Sequence, residues 1–395
     1  MQHSLSRPLK SGYLPSLDGW RAIAIAAVLM SHDVVWSIMG HSLEPIRRLG
    51  GDGVELFFAI SGFLITTRIL EEEALVGRFD IRRFYVRRLF RIQPAALAYL
   101  TCVALLFAFG VYPKEWSRWL GAFFMYLNFM YRPGPSLLGH FWSLAVEEHF
   151  YILLSLLFLF CKKHRLLVLG LLWMLFMAPV WLPNPQRFGL PNWYQSNRST
   201  QQHLHYLLIA SFMAVLMRRE EIKRAVRFAL RPWVIFPLTL ILAAAHNASG
   251  QLLRHEHLSP FRHVLGENIF IDSYFLILWI VSTVFHPRSL TTRILEFRPL
   301  RYVGKLSYSF YLWHVLFFYA AGDPNILRNH VARFLSTSPV RYLAAVAATL
   351  LSYYLIEKPM IRRGHRLAPP ATPGRAEFAD LPVETREGDR LLQTP

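Results

Sequence analysis

Apolar residues along this chain come in long unbroken runs, not in the alternation of a strand or the one-sided stripe of a soluble helix. A spanning helix needs about 20 mostly apolar residues, with a range of about 17–25. Ten runs approach that length. They cover Gly19–Met39, Val54–Leu70, Ile92–Val111, His140–Cys161, Leu166–Leu182, Gln202–Met217, Pro232–Ser249, Gly266–Phe285, Val303–Ala321 and Val340–Glu357. Irregular backbone cannot face lipid, so each run predicts a helix. The fold class expected is an all-α integral membrane protein, a bundle of about ten transmembrane helices. The first run is too long in its apolar part for a cleaved leader, and no small-residue cleavage site follows it. One further stretch, WLGAFFMYLNFMY at Trp119–Tyr131, is apolar but short. It is read as re-entrant or interfacial, because a full span there would reverse every later loop.

Composition supports the same class. Hydrophobic residues make up 54% and charged residues only 17%, yet the formal net charge is +18. Soluble domains carry about 25% charged residues. The pairing excludes a disordered chain, a coiled coil and collagen, and apolar runs of this length argue against a nucleic-acid binder. With the N-terminus inside, 31 of the 43 Lys and Arg residues fall on inner segments. The positive-inside rule then places both termini in the cytoplasm, in an inner membrane. Two cysteines, Cys102 and Cys161, make neither a disulfide framework nor a Cys-based metal site, and no metal is expected. Residues 1–364 are expected to form the membrane domain. The Pro- and charge-rich residues 365–395 are expected to be a disordered cytoplasmic tail.

Ionisable groups inside spans are costly and mark function by default. In LDGWRAIAIAAVLMSHDVVW, Arg21 lies near the inner end and His32 in the outer half. Eleven residues separate them by about 16 Å along a helix, close to the reach of an extended pantetheine arm. Anchoring at Arg21 and a hydrogen-bonded helix contact at His32 explain this span equally well. Asp33 turns about 100° away from its neighbour. The fourth span carries adjacent carboxylates, Glu147 and Glu148, with Trp142 and Tyr151 as candidate lining residues. One acid can face a cavity while the other braces it, and spacing does not say which. His314 in the ninth span lies at a depth similar to that of His32, where a packing histidine is the plainer reading.

Between spans two and three, FDIRRFYVRRLFRIQP holds Arg82, Arg83, Arg87, Arg88 and Arg91. Arg87 and Arg91 share a helix face, as do Arg88 and Arg91. Such a run anchors the inner side against anionic lipid. Five arginines without a lysine also suit bidentate phosphate recognition. Gly51, Gly53 and Gly62 of the second span suit close helix approach, and Ser61 beside them reads as a packing serine before a nucleophile. The GxSxG, Walker A, HExxH and GxGxxG motifs are absent.

The stretches LDGWRAIAIAAVLMSH, GGDGVELFFAISGFLI, FYVRRLFRIQP, GHFWSLAVEEHFY, YSFYLWH and LIEKP occur in one order over about residues 12–362. In that order the chain resembles the acyltransferase 3 family of bacterial membrane O-acylases. The resemblance implies a ten-helix bundle with cytoplasmic termini. It implies transfer of an acyl group, usually acetyl, from cytoplasmic acyl-CoA to a hydroxyl of a sugar, polysaccharide, glycolipid or antibiotic. The donor is then a substrate, and no bound cofactor is implied. The family's Arg–ten residues–His pattern falls on Arg21 and His32, its Arg–two residues–Arg pattern on Arg88 and Arg91, and its paired acids on Glu147 and Glu148. The residue after the acids is usually Gln in the family and is His149 here. An SGNH-type domain, carried by some members, is not expected. The mechanism expected has His32 as general base, with Glu147 or Glu148 orienting it. Two other readings stand beside it: a transporter with an intramembrane His/Glu relay, and a non-catalytic partner in glycan export.

Overall fold

The computed structural model describes residues 14–32, 44–130, 136–181, 200–239, 241, 269–318, 330–337 and 339–369, and every regular element among them is helical. α1 (Pro15–His32), α2 (Glu44–Val76) and α3 (Ile81–Ala108) precede a short α4 (Trp116–Phe123) and a single 3-10 turn, Leu127–Phe129. α5 (Phe141–Phe160), α6 (Arg165–Trp181), α7 (Thr200–Leu216) and α8 (Glu220–Val226) follow, with residues 232–239 also helical. α9 (Ile269–Phe285), α10 (Leu290–Leu295) and α11 (Arg298–Phe318) lead to α12 (His330–Leu335) and α13 (Val340–Ser352). A π-turn at Tyr353–Glu357 joins α13 to α14 (Lys358–Leu367).

The chain is a membrane protein by its helices. Gly53–Val76, Ile81–Ala108, Phe141–Phe160 and Val340–Leu367 are long and apolar enough to cross a bilayer, with shorter apolar helices at Arg165–Met177, His203–Leu216 and Phe275–Phe285. The outward side of α6 presents Leu167, Leu171, Met174 and Leu175, each more than half exposed. A helix apolar on both faces needs an apolar solvent.

Several boundaries differ from the sequence reading. The third helix starts at Ile81 and not Ile92, because Asp80 caps it by accepting from the Arg83 backbone N–H at 3.0 Å. The arginine run, read at helical spacing, is thus the first part of the same helix that carries the apolar run. The described part of the Trp119–Tyr131 segment holds the second half of α4, a helix about 12 Å long at 1.5 Å per residue, and the 3-10 turn; Trp119 Nε1 donates to the Leu100 carbonyl at 2.9 Å, tying it to the C-terminal half of α3. At the other end of the chain, helix continues through His365 to Leu367, past the expected domain limit. Asp33, the far part of the first and seventh runs and residues 370–395 lie outside the described residues.

Close approaches of α1 and α2 fix the bundle. A Cβ on Gly304 of α11 would stand 1.8 Å from the Asp18 carbonyl oxygen, so only glycine permits this crossing. A Cβ on Gly62 would stand 2.4 Å from the Leu207 oxygen of α7, and one on Gly53 2.7 Å from the Ala24 oxygen of α1. Small residues at such crossings bring backbones together where lipid offers no hydrophobic drive. Two apolar clusters result, one around Tyr99, Phe141, Phe150 and Leu312, the other around Trp20, Ile60, Ile277 and Val281.

Candidate active site

Five helices converge on a cleft lined by Arg21 of α1, Ser61 of α2, Arg88 and Arg91 of α3, Glu147 and Tyr151 of α5, and Ser307 and Tyr308 of α11, among others. Helical spacing explains the selection. Arg88, Arg91 and Ile92 stand at i, i+3 and i+4, and Ser143, Leu144, Glu147 and Tyr151 at i, i+1, i+4 and i+8, each set on one face.

Three guanidinium groups therefore meet in one cleft. Arg21 is held by Asp18 at 3.1 Å, three residues back on α1. Arg88 stands over the Tyr151 ring at 5.1 Å and the Phe84 ring at 5.9 Å. Arg87 does not line the cleft. Its Nη2 pairs with Glu72 of α2 at 2.5 Å. The sequence reading counted it with the phosphate ligands; the 100° step between neighbours on a helix is the reason it separates from Arg88.

Glu147 is the acid in the cleft. Its Oε1 accepts from Ser61 Oγ at 2.8 Å and its Oε2 from Tyr151 OH at 2.7 Å. Ser61 thus serves the carboxylate, and Tyr151 both braces Glu147 and backs Arg88. Glu148 is not among the residues lining the cleft. Trp142 is not either; it meets Phe58 edge-on at 5.9 Å and His203 at 4.6 Å. His149 bonds Thr200 Oγ1 through Nδ1 at 2.8 Å, and Asn128 Nδ2 donates to the same oxygen at 2.5 Å.

Beyond the cleft lies an imidazole cluster. The His32 ring is 5.1 Å from that of His314, and His314 is 6.1 Å from His140. Tyr311 stands where cleft and cluster meet: it lines the cleft, its hydroxyl bonds Ser143 Oγ at 2.6 Å, and its ring lies 5.8 Å from His314. His32 Nδ1 bonds the Val28 carbonyl at 2.8 Å. A carbonyl only accepts, so Nδ1 carries a proton, and in the neutral ring Nε2 is the basic nitrogen. The Val28 carbonyl orients the ring, while both oxygens of Glu147 are engaged by Ser61 and Tyr151.

Sequence reasoning placed His32, Glu147 and His314 at one depth. The structure joins the two histidines but puts Glu147 with the arginines. It also adds His140, which stands two helical turns before Glu147 and could have been found from that i, i+7 spacing. Glu357 of the LIEKP stretch is a second addition. It is buried on the π-turn and accepts from Ser309 Oγ at 2.8 Å. Among the described residues, no group of three or more His, Cys, Asp or Glu side chains is arranged to hold a metal ion.

The model of the acyltransferase 3 family, described as an acyltransferase domain, matches residues 14–358. The chain belongs to that family. It is similar to the O-acetyltransferase OatA of Staphylococcus aureus (strain NCTC 8325 / PS 47), 27% identical over 379 residues that cover 90% of this chain and 58% of the relative. It is also similar to the peptidoglycan O-acetyltransferase OatA of Listeria monocytogenes (serovar 1/2a, strain ATCC BAA-679 / EGD-e), 28% identical over 384 residues, 89% of this chain and 56% of the relative. The acyltransferase 3 chain thus spans less than two thirds of the length of these curated relatives. No solved structure matches it at a comparable level of significance.

Proposed function

We propose that the chain is a membrane O-acyltransferase that moves an acetyl group from cytoplasmic acetyl-CoA to a hydroxyl of a cell-envelope glycan such as peptidoglycan. The observation that carries this reading is the joining of Arg21, Arg88 and Arg91 in one cleft whose lining includes Tyr311, which neighbours His314 and, through it, His32. Guanidinium groups match phosphate oxygens bidentately. The α1 helix sets Arg21 about 16 Å from His32, the span over which pantetheine would carry a thioester from a phosphate anchor to the imidazole.

His32 then acts as general base. The acceptor oxygen attacks the thioester carbon while its proton passes to Nε2 of His32. The carbon–sulfur bond breaks, and the imidazolium returns the proton to the departing CoA sulfur. The Val28 carbonyl accepts from Nδ1 and holds that proton throughout, which makes Nε2 the nitrogen that takes up the acceptor's proton. Glu147 acts on the donor side, where its two hydroxyl partners and the nearby Arg88 position the anion cradle.

In this reading the bundle has ten spans in an inner membrane and both termini are cytoplasmic, which puts the arginine cleft on the cytoplasmic side with its donor. Partners are acyl-CoA, the glycan and the bilayer. The experiment is acetyl transfer from labelled acetyl-CoA in purified proteoliposomes, with Arg88→Gln and His32→Ala compared. Loss of donor binding in the first and of transfer alone in the second supports the reading. Transfer retained in both overturns it.

A further inference from the structure

His140 is a buried imidazole held without any hydrogen bond. It is 4% exposed and caps the start of α5. Rings fix it on several sides: Phe141 at 4.9 Å, Tyr99 edge-on at 5.1 Å and Tyr311 at 5.6 Å. Both Nδ1 and Nε2 are buried and unpartnered, as is Nε2 of the fully buried His314. Packing alone does not account for this. A phenylalanine would fill similar space without burying polar atoms, and native structures rarely leave such atoms unsatisfied.

The pattern of open nitrogens specifies a ligand chemistry. His314 Nδ1 bonds the Phe310 carbonyl at 3.1 Å, so that nitrogen donates and Nε2 can only accept in the neutral ring. Neutral His140 offers one donor and one acceptor. A carboxylate or phosphate has no proton to give His314 Nε2. An ammonium group has no lone pair to receive the His140 N–H. A hydroxyl both donates and accepts, and a pair of neighbouring hydroxyls satisfies all three nitrogens.

We propose that His140 and His314 form a hydroxyl-binding subsite that seats the sugar acceptor beside His32, with His140 an acceptor-binding residue. The identity of the acceptor rests on the acyltransferase reading above. The subsite itself rests on the orphaned nitrogens and their distances, 6.1 Å from His140 to His314 and 5.1 Å from His314 to His32. The anion-binding and hydroxyl-binding groups are chemically distinct, and Tyr311 stands against both, lining the cleft and lying 5.8 Å from the His314 ring.

The test uses the full chain in nanodiscs and measures binding of two probes by calorimetry: acetyl-CoA, and a GlcNAc–MurNAc disaccharide. His140→Phe keeps a ring and removes both nitrogens. His140→Gln keeps one donor and one acceptor. Disaccharide affinity should fall about tenfold in His140→Phe, the scale of one or two lost hydrogen bonds, and recover in part in His140→Gln, with acetyl-CoA affinity unchanged in both. In turnover the same loss should fall on the KM for disaccharide, not on kcat. Equal disaccharide affinity in wild type and His140→Phe would overturn the proposal and leave only ordered water on these nitrogens. So would a wild type that does not bind the disaccharide, an equal loss of acetyl-CoA affinity, or a kcat collapse at constant KM. If His140→Phe does not fold, His140→Gln against wild type decides by the same readings. A wild type that binds disaccharide through His140 but never binds acetyl-CoA supports the subsite and fails the acyltransferase reading, so the two failures are separable.

Discussion

Arg88 and Arg87 are neighbours in sequence with opposite assignments in space, which makes them a sharp test of the donor cleft. Arg88 lines the cleft over Tyr151, whereas Arg87 is engaged by Glu72 at 2.5 Å. A charge-assisted hydrogen bond to phosphate contributes about 1.5–3 kcal/mol. At about 1.4 kcal/mol per factor of ten, Arg88→Gln should weaken acetyl-CoA binding by about 10- to 150-fold. Arg91→Gln should fall in the same range. Arg88→Lys should restore only part, because lysine lacks the planar fork and stacks less well on Tyr151. Arg87→Gln should leave donor affinity within about threefold. Its cost should appear as a lower melting temperature, because the carboxylate of Glu72 is left nearly buried without its cation. The assay is calorimetric titration of acetyl-CoA into each variant in nanodiscs, with thermal melting in parallel. Normal donor affinity in Arg88→Gln, or an equal loss in Arg87→Gln, would refute the assignment and return the whole run to membrane anchoring.

Glu147→Gln should reduce acetyl transfer at least tenfold more than Glu148→Gln, since only Glu147 lines the cleft and takes the Ser61 and Tyr151 hydroxyls; equal rates of transfer would contradict that division. Gly304→Ala forces a methyl to within 1.8 Å of the Asp18 carbonyl and should cost about 1–3 kcal/mol or more, read as a lowered melting temperature and poor yield; wild-type melting would mean the α1–α11 crossing is looser than described. For topology, a single cysteine at Asn192 or Asn325 should label from outside intact cells and one at Glu221 should not; labelling at 221 would reverse the orientation.

Much of this site was legible in the sequence because membrane helices make charge conspicuous. The spacing of Arg88 and Arg91 and the eleven-residue step from Arg21 to His32 are properties of one helix each, fixed by 3.6 residues per turn. What could not be read is which helix faces which. Glu147 and Glu148 differ by 100° of rotation, and only the packing of α5 against Ser61 of α2 selects between them. The parting of Arg87 from Arg88 is hidden for the same reason: Glu72, fifteen residues earlier, pairs with Arg87 across a turn that sequence does not locate. His140 was passed over because it precedes the helix as its cap, where a histidine next to apolar residues looks like a boundary. Its meaning depends on His314, more than 170 residues away. The extension of α3 back to Ile81 was hidden by charge, since a hydropathy run ends where the arginines begin even though the helix does not.

The central claim is that His32 is the base that activates the acceptor. General base catalysis contributes about 10²–10⁴-fold. The direct measurement is single-turnover acetyl transfer to glycan by His32→Ala in proteoliposomes preloaded with labelled acetyl-CoA, with donor binding measured on the same preparation. The account predicts transfer lowered by at least about a hundredfold with acetyl-CoA affinity intact, because the arginine cleft lies at the other end of α1. Wild-type transfer by His32→Ala would contradict it.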